Sequence, residues 1–163
     1  MTPKLRVALT AFTIALPLDQ LTKIAIDHSL SYSDRIEIIE GLFYLTHVRN
    51  TGAAFGILNA ADFPFKATII ALIATFALIG VGVYAAGLAP HQRVARIGLS
   101  LILGGALGNL VDRILSGYVV DFVDVYWRDY HFWAFNVADA AITIGVAVLI
   151  LDMLGLGRVP STL

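Results

Sequence analysis

The chain has 163 residues, of which 58% are hydrophobic and only 14% charged, and its mean hydropathy is +0.81. A soluble domain carries about 25% charged residues, so this composition predicts one polytopic membrane domain over residues 1–163. The net charge of −1 excludes the basic surface of a nucleic-acid-binding protein, and the lack of cysteine excludes thiol catalysis, disulfides and cysteine-bound metals.

The first predicted element is a membrane helix over residues 5–26. Lys4 and Arg6 precede an apolar run, as in a secretory signal peptide, but no small-residue cleavage site follows. The segment is long enough to span a bilayer uncut. Asp19 and Lys23 lie four residues apart near its far end, which predicts an ion pair on one face of the helix.

A short β segment is predicted next, over residues 34–60 and outside the bilayer. Residues 35–39 alternate polar and apolar side chains, Gly41 interrupts the pattern, and residues 42–48 are rich in strand formers. This pattern predicts a β-cradle or hairpin after the first helix. Residues 50–56 then contain two glycines and two alanines, which suit a close approach of the backbone to another group.

Three further membrane helices are predicted over residues 66–89, 95–115 and 134–154. The first of these contains no charge after Lys66, and the second is rich in glycine, which permits close helix packing in a bilayer. The aromatic residues of segment 116–133 predict a connection at the membrane interface. The predicted fold class is therefore an all-α membrane protein with four transmembrane helices and a small extracytoplasmic β-cradle.

The basic residues predict the orientation of this topology. A cytoplasmic N-terminus assigns five basic residues to each side, but the inner segments are shorter, and basic residues in short loops carry the signal. We therefore expect both termini in the cytoplasm. The inner set is Lys4, Arg6, Arg93, Arg96 and Arg158, and the outer set is Arg35, Arg49, Lys66, Arg113 and Arg128.

Polar residues from several helices converge near the outer interface in this topology. Carboxylates beside lipid are costly, so such a cluster indicates a functional site. The strongest catalytic candidates are Asp121 and Asp139, because two close carboxylates share one proton: the ionised one activates water and the protonated one polarises a carbonyl. Each Asp could instead cap a helix or pair with a base, and Asp124 is a rival to Asp121. The expected layer contains Asp19, Lys23, Asn109, Asp112, Arg113, Asn136 and Asp139, with Asp121 in the connecting segment.

Several alternatives remain open from the residues alone. Asp112 next to Arg113 permits an ion pair that fixes the end of the third helix, while Arg113 is also placed to reach a substrate carbonyl. Asn109 suits either backbone binding or a hydrogen bond between helices. Lys23 with Ser116 permits a Ser–Lys enzyme. No His-x-x-x-His pair is present, so no zinc site is predicted, and no cofactor.

Two other classes of function use the same residues. A small ion- or proton-coupled transporter would use the acids as a pathway, and a non-catalytic scaffold would not need them. Transporters usually contain internal repeats and a site near the midplane of the membrane. Here the two halves do not resemble each other, and the acids group at one interface.

Five sequence boxes resemble the lipoprotein signal peptidase, or signal peptidase II, family. Each box alone is a weak signal, but all five occur in order in a chain of the family's length and hydropathy. Gly56 and Ala140 stand where serine is frequent in the family. The boxes are Asp19–Lys23, Asn50–Phe55, Gly104–Arg113, Val119–Phe122 and Phe135–Asp139.

The resemblance implies an aspartic endopeptidase of the bacterial inner membrane, with its active site near the outer face. Such an enzyme removes signal peptides from prolipoproteins whose cysteine carries diacylglycerol, contacts membrane lipid and is blocked by globomycin. By position, Asp121 and Asp139 match the catalytic pair. Asn50, Gly105, Asn109, Arg113 and Asn136 match residues that line the site, Asp19 and Lys23 match a supporting pair, and Gly52 and Asp112 lie inside the boxes as further candidates.

Overall fold

The computed structural model describes residues 3–53, 57–89 and 91–155, with side chains from Phe12 onward. Within these residues the chain forms four helices and a small antiparallel sheet, which confirms that part of the predicted fold class. The elements in chain order are α1 Pro3–Ser29, β1 Arg35–Ile39, β2 Phe43–Asn50, α2 Lys66–Ala86, α3 Arg93–Leu115, β3 Val119–Trp127, β4 Tyr130–His131 and α4 Val137–Met153.

The sheet is larger than the predicted segment 34–60 and extends beyond the first half of the chain. Its order is β1-β2-β3-β4, and β3 pairs with β2 so that Asn50 lies opposite Val119 and Phe43 opposite Val125. We expected residues 116–133 to form only an interface connection. Most of β3 is buried, so its sequence lacks the regular alternation that identifies a half-exposed strand.

This shared sheet determines which helix ends lie together. β1 and β2 follow α1, whereas β3 and β4 follow α3. Because all four strands belong to one sheet, the C-terminal ends of α1 and α3 lie at the same end of the bundle. The N-terminal end of α4 joins them there, since the Ala138 amide donates to Asp19 Oδ1 at 2.9 Å.

α3 is the central helix and contacts α1, α2 and α4. Its glycines permit this packing. A Cβ added at Gly98 would lie 2.7 Å from the Gly145 carbonyl oxygen of α4, and one at Gly105 would collide with the Ala138 carbonyl. The absence of side chains at these positions therefore brings α3 and α4 into backbone contact.

The helices expose large apolar side chains and bury charged ones. Phe76 of α2 is 72% exposed, whereas Asp19 and Lys23 of α1 are 0% and 3% exposed. Exposed apolar surface of this extent is typical of a protein that meets lipid. α2 and α3 are long and apolar enough to cross a bilayer, with mean hydropathies of 2.4 and 1.6 over their best windows, whereas α1 carries several charges and α4 has 17 residues.

Candidate active site

Asp121 and Asp139 are linked by two asparagine side chains. Asp121 is the third residue of β3 and is 2% exposed, and Asp139 lies in the first turn of α4. Asn136 Nδ2 donates to Asp121 Oδ1 at 2.7 Å, and Asn109 Nδ2 donates to Asp139 Oδ1 at 2.8 Å. Asn136 Nδ2 also lies 3.2 Å from Asn109 Oδ1, so the four side chains form one connected group.

A capping box at the start of α4 orients this group. Asn136 Oδ1 accepts the backbone N–H of Asp139 at 2.9 Å, and Asp139 Oδ2 accepts the backbone N–H of Asn136 at 3.4 Å. An N-cap asparagine with an acid three residues later satisfies two free helix donors. Since the cap uses Asn136 Oδ1, the Nδ2 group remains free to donate to Asp121.

Asp121 lies in surroundings that favour its protonated form. Burial raises the pKa of Asp121 to about 7, and the negative charge of Asp139 acts in the same direction. Hydrogen bonds from Asn50 and Asn136 and the charge of Lys23 oppose this rise. Asn50 Nδ2 donates to Asp121 Oδ2 at 3.0 Å. Near neutral pH this carboxyl is therefore able to hold or release a proton.

Lys23 joins three other residues of the same group through its Nζ. Its Nζ lies 2.8 Å from Asp19 Oδ2, 2.8 Å from Asn109 Oδ1 and 2.7 Å from Asp112 Oδ2. Nζ donates to Asp19 Oδ2 and to Asn109 Oδ1, and it forms an ion pair with Asp112 Oδ2. Two carboxylates and an amide oxygen surround this Nζ, so Lys23 is a structural group rather than the base of a Ser–Lys pair. It holds Asn109 with its Nδ2 toward Asp139.

The ion pair that the sequence permits between Asp112 and Arg113 is not formed in the structure. Asp112 contacts Lys23 instead, and Gln20 Nε2 donates to Asp112 Oδ1 at 2.9 Å. Neighbouring residues on a helix point in different directions, so Arg113 lies on another side of α3. Its guanidinium donates to the Asn109 carbonyl at 3.1 Å and to the Gly52 carbonyl at 3.0 Å.

Asp124, the rival to Asp121, belongs to a different cluster. Side chains alternate along β3, so residues 121 and 124 face opposite sides of the strand. Asp124 pairs with His131 at 3.0 Å and with Arg35 at 3.5 Å. The described contacts therefore place Asp121, and not Asp124, with Asn136 and Asn109.

The two glycine candidates both lie at close backbone approaches. Gly52 donates its N–H to Asn50 Oδ1 at 2.9 Å, and a Cβ there would collide with the Ile57 carbonyl. Gly105 lies against α4 beside Ala138. Ala54 and Phe55 of the second box fall outside the described residues, as does Gly56.

Three further polar residues contact this site or the strand end beside it, and none of them was among the predicted site residues. Gln20 lies between Asp19 and Lys23 in the first box, and its amide contacts Asp112, which was a detectable signal. Asn59 and Lys66 contact Thr51, next to Asn50, and no motif marks them. Within the described ranges, no group of three or more His, Asp or Glu side chains is arranged to hold a metal ion.

Comparison with known proteins supports the resemblance seen in the sequence. Residues 11–155 match the family model of signal peptidase (SPase) II. A lipoprotein signal peptidase from Geobacter sulfurreducens is 45% identical over 154 residues, which cover 94% of this chain and 95% of the relative. One from Solibacter usitatus is 45% identical over 140 residues, which cover 84% of each chain.

A solved structure has a fold similar to that of this chain. A structure described as a bacterial membrane enzyme superimposes with a TM-score of 0.81 at 32% identity, covering 96% of this chain and 93% of that chain. Together with the family match, this defines a membrane peptidase of the aspartic class. The chain belongs to the signal peptidase (SPase) II family.

Proposed function

We propose that this chain removes the signal peptide from prolipoproteins whose cysteine carries diacylglycerol, and that Asp121 and Asp139 are the catalytic dyad. Support for the substrate comes from the relatives named lipoprotein signal peptidase. The observation that carries the mechanism is the connection of the two carboxylates through Asn136 and Asn109.

The dyad hydrolyses the peptide bond in two steps. Ionised Asp139 takes a proton from water as the hydroxide oxygen adds to the scissile carbonyl carbon, and protonated Asp121 donates its proton to the carbonyl oxygen. The tetrahedral intermediate then returns a proton to Asp121 while the C–N bond breaks. Asp139 transfers its proton to the leaving amine of the lipidated cysteine, and both carboxyls regain their starting states.

We place the dyad near one face of a bilayer that all four helices cross. From Pro3 to Asp19, α1 rises by roughly 24 Å, and the 17 residues of α4 rise by roughly 25 Å. A hydrocarbon core is about 30 Å thick, so the layer that joins Asp19 to Ala138 lies near its outer boundary. With both termini in the cytoplasm, the sheet and the dyad face the outer side of the bacterial inner membrane.

The neighbouring residues have distinct roles in this proposal. Asn109 and Asn136 orient the carboxylates. Lys23 holds Asn109, and Asp19 and Asp112 in turn hold Lys23. Gly105 permits the approach of α3 to α4. Gly52, Asn50 and Arg113 lie where an unwound substrate would pass. Globomycin is expected to compete for this same position. The transporter alternative gains no support, since the family match is to a peptidase.

Asn50 provides a test of the dyad through pH. Its Nδ2–H favours the ionised form of Asp121, so Asn50→Leu raises the pKa of Asp121 further. Because Asp121 acts as the acid, activity is present below this pKa and is lost as pH rises through it. We expect the alkaline limb of kcat/KM near pH 7 in the wild type, and at higher pH in Asn50→Leu.

The measurement is the pH profile of kcat/KM on a lipid-modified peptide in detergent. Asp124→Asn serves as the matched control, because Asp124 lies on the other side of β3, and its alkaline limb is expected to coincide with that of the wild type. An unchanged or lowered limb in Asn50→Leu would show that Asp121 does not act as the acid.

A further inference from the structure

Lys66, the first residue of α2, holds the loop before it through several oxygen atoms. Its Nζ lies 2.7 Å from the Ala61 carbonyl and 3.1 Å from Thr51 Oγ1, with the Leu58 and Asn59 carbonyls at 3.4 and 3.3 Å. A cation in the first turn of a helix is disfavoured by the helix dipole. Lys66 is therefore explained by its loop contacts rather than by stabilisation of α2.

Asn59 ties the same loop to the strand end that carries Asn50. Its Oδ1 accepts the backbone N–H of Thr51 at 3.0 Å and the Thr51 hydroxyl at 2.8 Å. The Ala53 N–H also donates to the Ile57 carbonyl at 2.7 Å. Residues 51 and 53 are thus fastened to residues 57 and 59 by three hydrogen bonds.

These hydrogen bonds hold Thr51, which is adjacent to the residue that contacts the proposed catalytic acid. Thr51 follows Asn50, whose Oδ1 accepts the Gly52 N–H at 2.9 Å and whose Nδ2 donates to Asp121 Oδ2 at 3.0 Å. The first of these bonds sets the orientation of the amide, because it leaves only Nδ2 to face Asp121. The backbone of residues 51 and 52 therefore determines whether this donor points at the carboxylate.

We propose that Asn59 and Lys66 form a clasp that positions Asn50 against Asp121. They are positioning residues, because they contact Thr51, and it is the neighbouring Asn50 that contacts Asp121. This role rests on the proposed function, since it assigns the clasp to the peptidase reaction. The clasp explains two residues that no sequence motif marks and that both contact Thr51, the residue after Asn50.

The test compares disruptive and conservative variants of both clasp residues. Asn59→Ala and Lys66→Met remove the contacts, whereas Asn59→Asp keeps the acceptor and Lys66→Arg keeps the cation. Asp62→Asn, at an exposed position of the same loop, is the control. The readouts are kcat, KM and the alkaline limb of kcat/KM on a diacylglyceryl peptide, together with amide hydrogen exchange of residues 50–53.

We expect Asn59→Ala and Lys66→Met to lower kcat/KM by about tenfold or more, since misplaced groups near a reacting bond are costly. Their alkaline limb should move to higher pH, as in Asn50→Leu, and exchange of residues 50–53 should become faster. The charges that face Asp121, from Lys23 of α1, Arg113 of α3 and Asp139 of α4, are unchanged in these variants. The two conservative variants and Asp62→Asn should resemble the wild type.

Two results would overturn the clasp while leaving the peptidase function in place. The first is that Asn59→Ala and Lys66→Met keep the wild-type kcat/KM, the wild-type alkaline limb and the wild-type hydrogen exchange of residues 50–53. The other is a slower rate with an unmoved limb and no rescue by Asn59→Asp or Lys66→Arg, which would indicate loss of structure only. Failure of the wild type to cleave the peptide would instead overturn the proposed function, and the catalytic role of the clasp with it.

Discussion

Asp121→Asn and Asp139→Asn are each expected to lower kcat by about 10³-fold or more, because each removes a proton-transfer group from the reaction. An asparagine keeps the size of the side chain but can neither accept the proton of water nor donate one to a carbonyl oxygen. The two substitutions should also be non-additive, because the carboxyls act as one unit. The double variant should therefore be about as slow as the slower single variant.

The measurement is single-turnover cleavage of a lipid-modified peptide at equal concentrations of folded enzyme. Asp124→Asn is the matched control, since Asp124 pairs with His131 and Arg35 away from the dyad. It should keep wild-type activity. Near-normal cleavage by either dyad variant would remove that residue from the mechanism, and an inactive Asp124→Asn with active Asp121→Asn would move the assignment by three residues.

Lys23→Met is expected to be the most destabilising single substitution near the site, by about 3–5 kcal/mol. Lys23 is 3% exposed, and its ammonium lies between Asp19 and Asp112. Without it, two carboxylates and Asn109 Oδ1 lose their shared partner while Asp19 remains fully buried. The loss should appear as a lower free energy of unfolding in detergent.

A double-mutant cycle separates this electrostatic effect from loss of packing. Asp19→Asn combined with Lys23→Met removes one of the uncompensated charges, so the pair should be less destabilising than the sum of the two single variants. Simple additivity, or a free energy of unfolding for Lys23→Met close to that of the wild type, would show that the buried ion pairs do not stabilise the helix layer.

The convergence of the polar helix residues was predictable from topology. Asp19, Lys23 and Asn109 lie in the C-terminal halves of α1 and α3, and Asn136 is the N-cap of α4. Hydrogen bonds do connect these residues through Lys23 and Asn109. Hydropathy determines which segments are helices, and alternating direction then places their ends. The predictions of four helices, a small sheet and a peptidase of this family are confirmed, whereas the catalytic roles stay predictions.

Contacts that depend on distant pairing were not predictable. β3 joins β2 across the interval that contains α2 and α3, and its buried sequence resembles an aromatic interface segment. Asp112 pairs with Lys23 and not with its neighbour Arg113, because residues adjacent along the chain do not face each other on a helix. Asn59 and Lys66 escaped notice because loop hydrogen bonds to backbone oxygens leave no residue pattern.

The most direct test of the proposed function offers the purified chain two copies of one precursor peptide, with and without diacylglyceryl on the cysteine. The assay runs in detergent with no ion gradient, which also removes any transport activity from the result. If this chain is a lipoprotein signal peptidase, only the lipidated peptide is cut, at the bond before the modified cysteine, and globomycin stops the reaction. Equal cutting of both peptides, or none of either by folded enzyme, would contradict it.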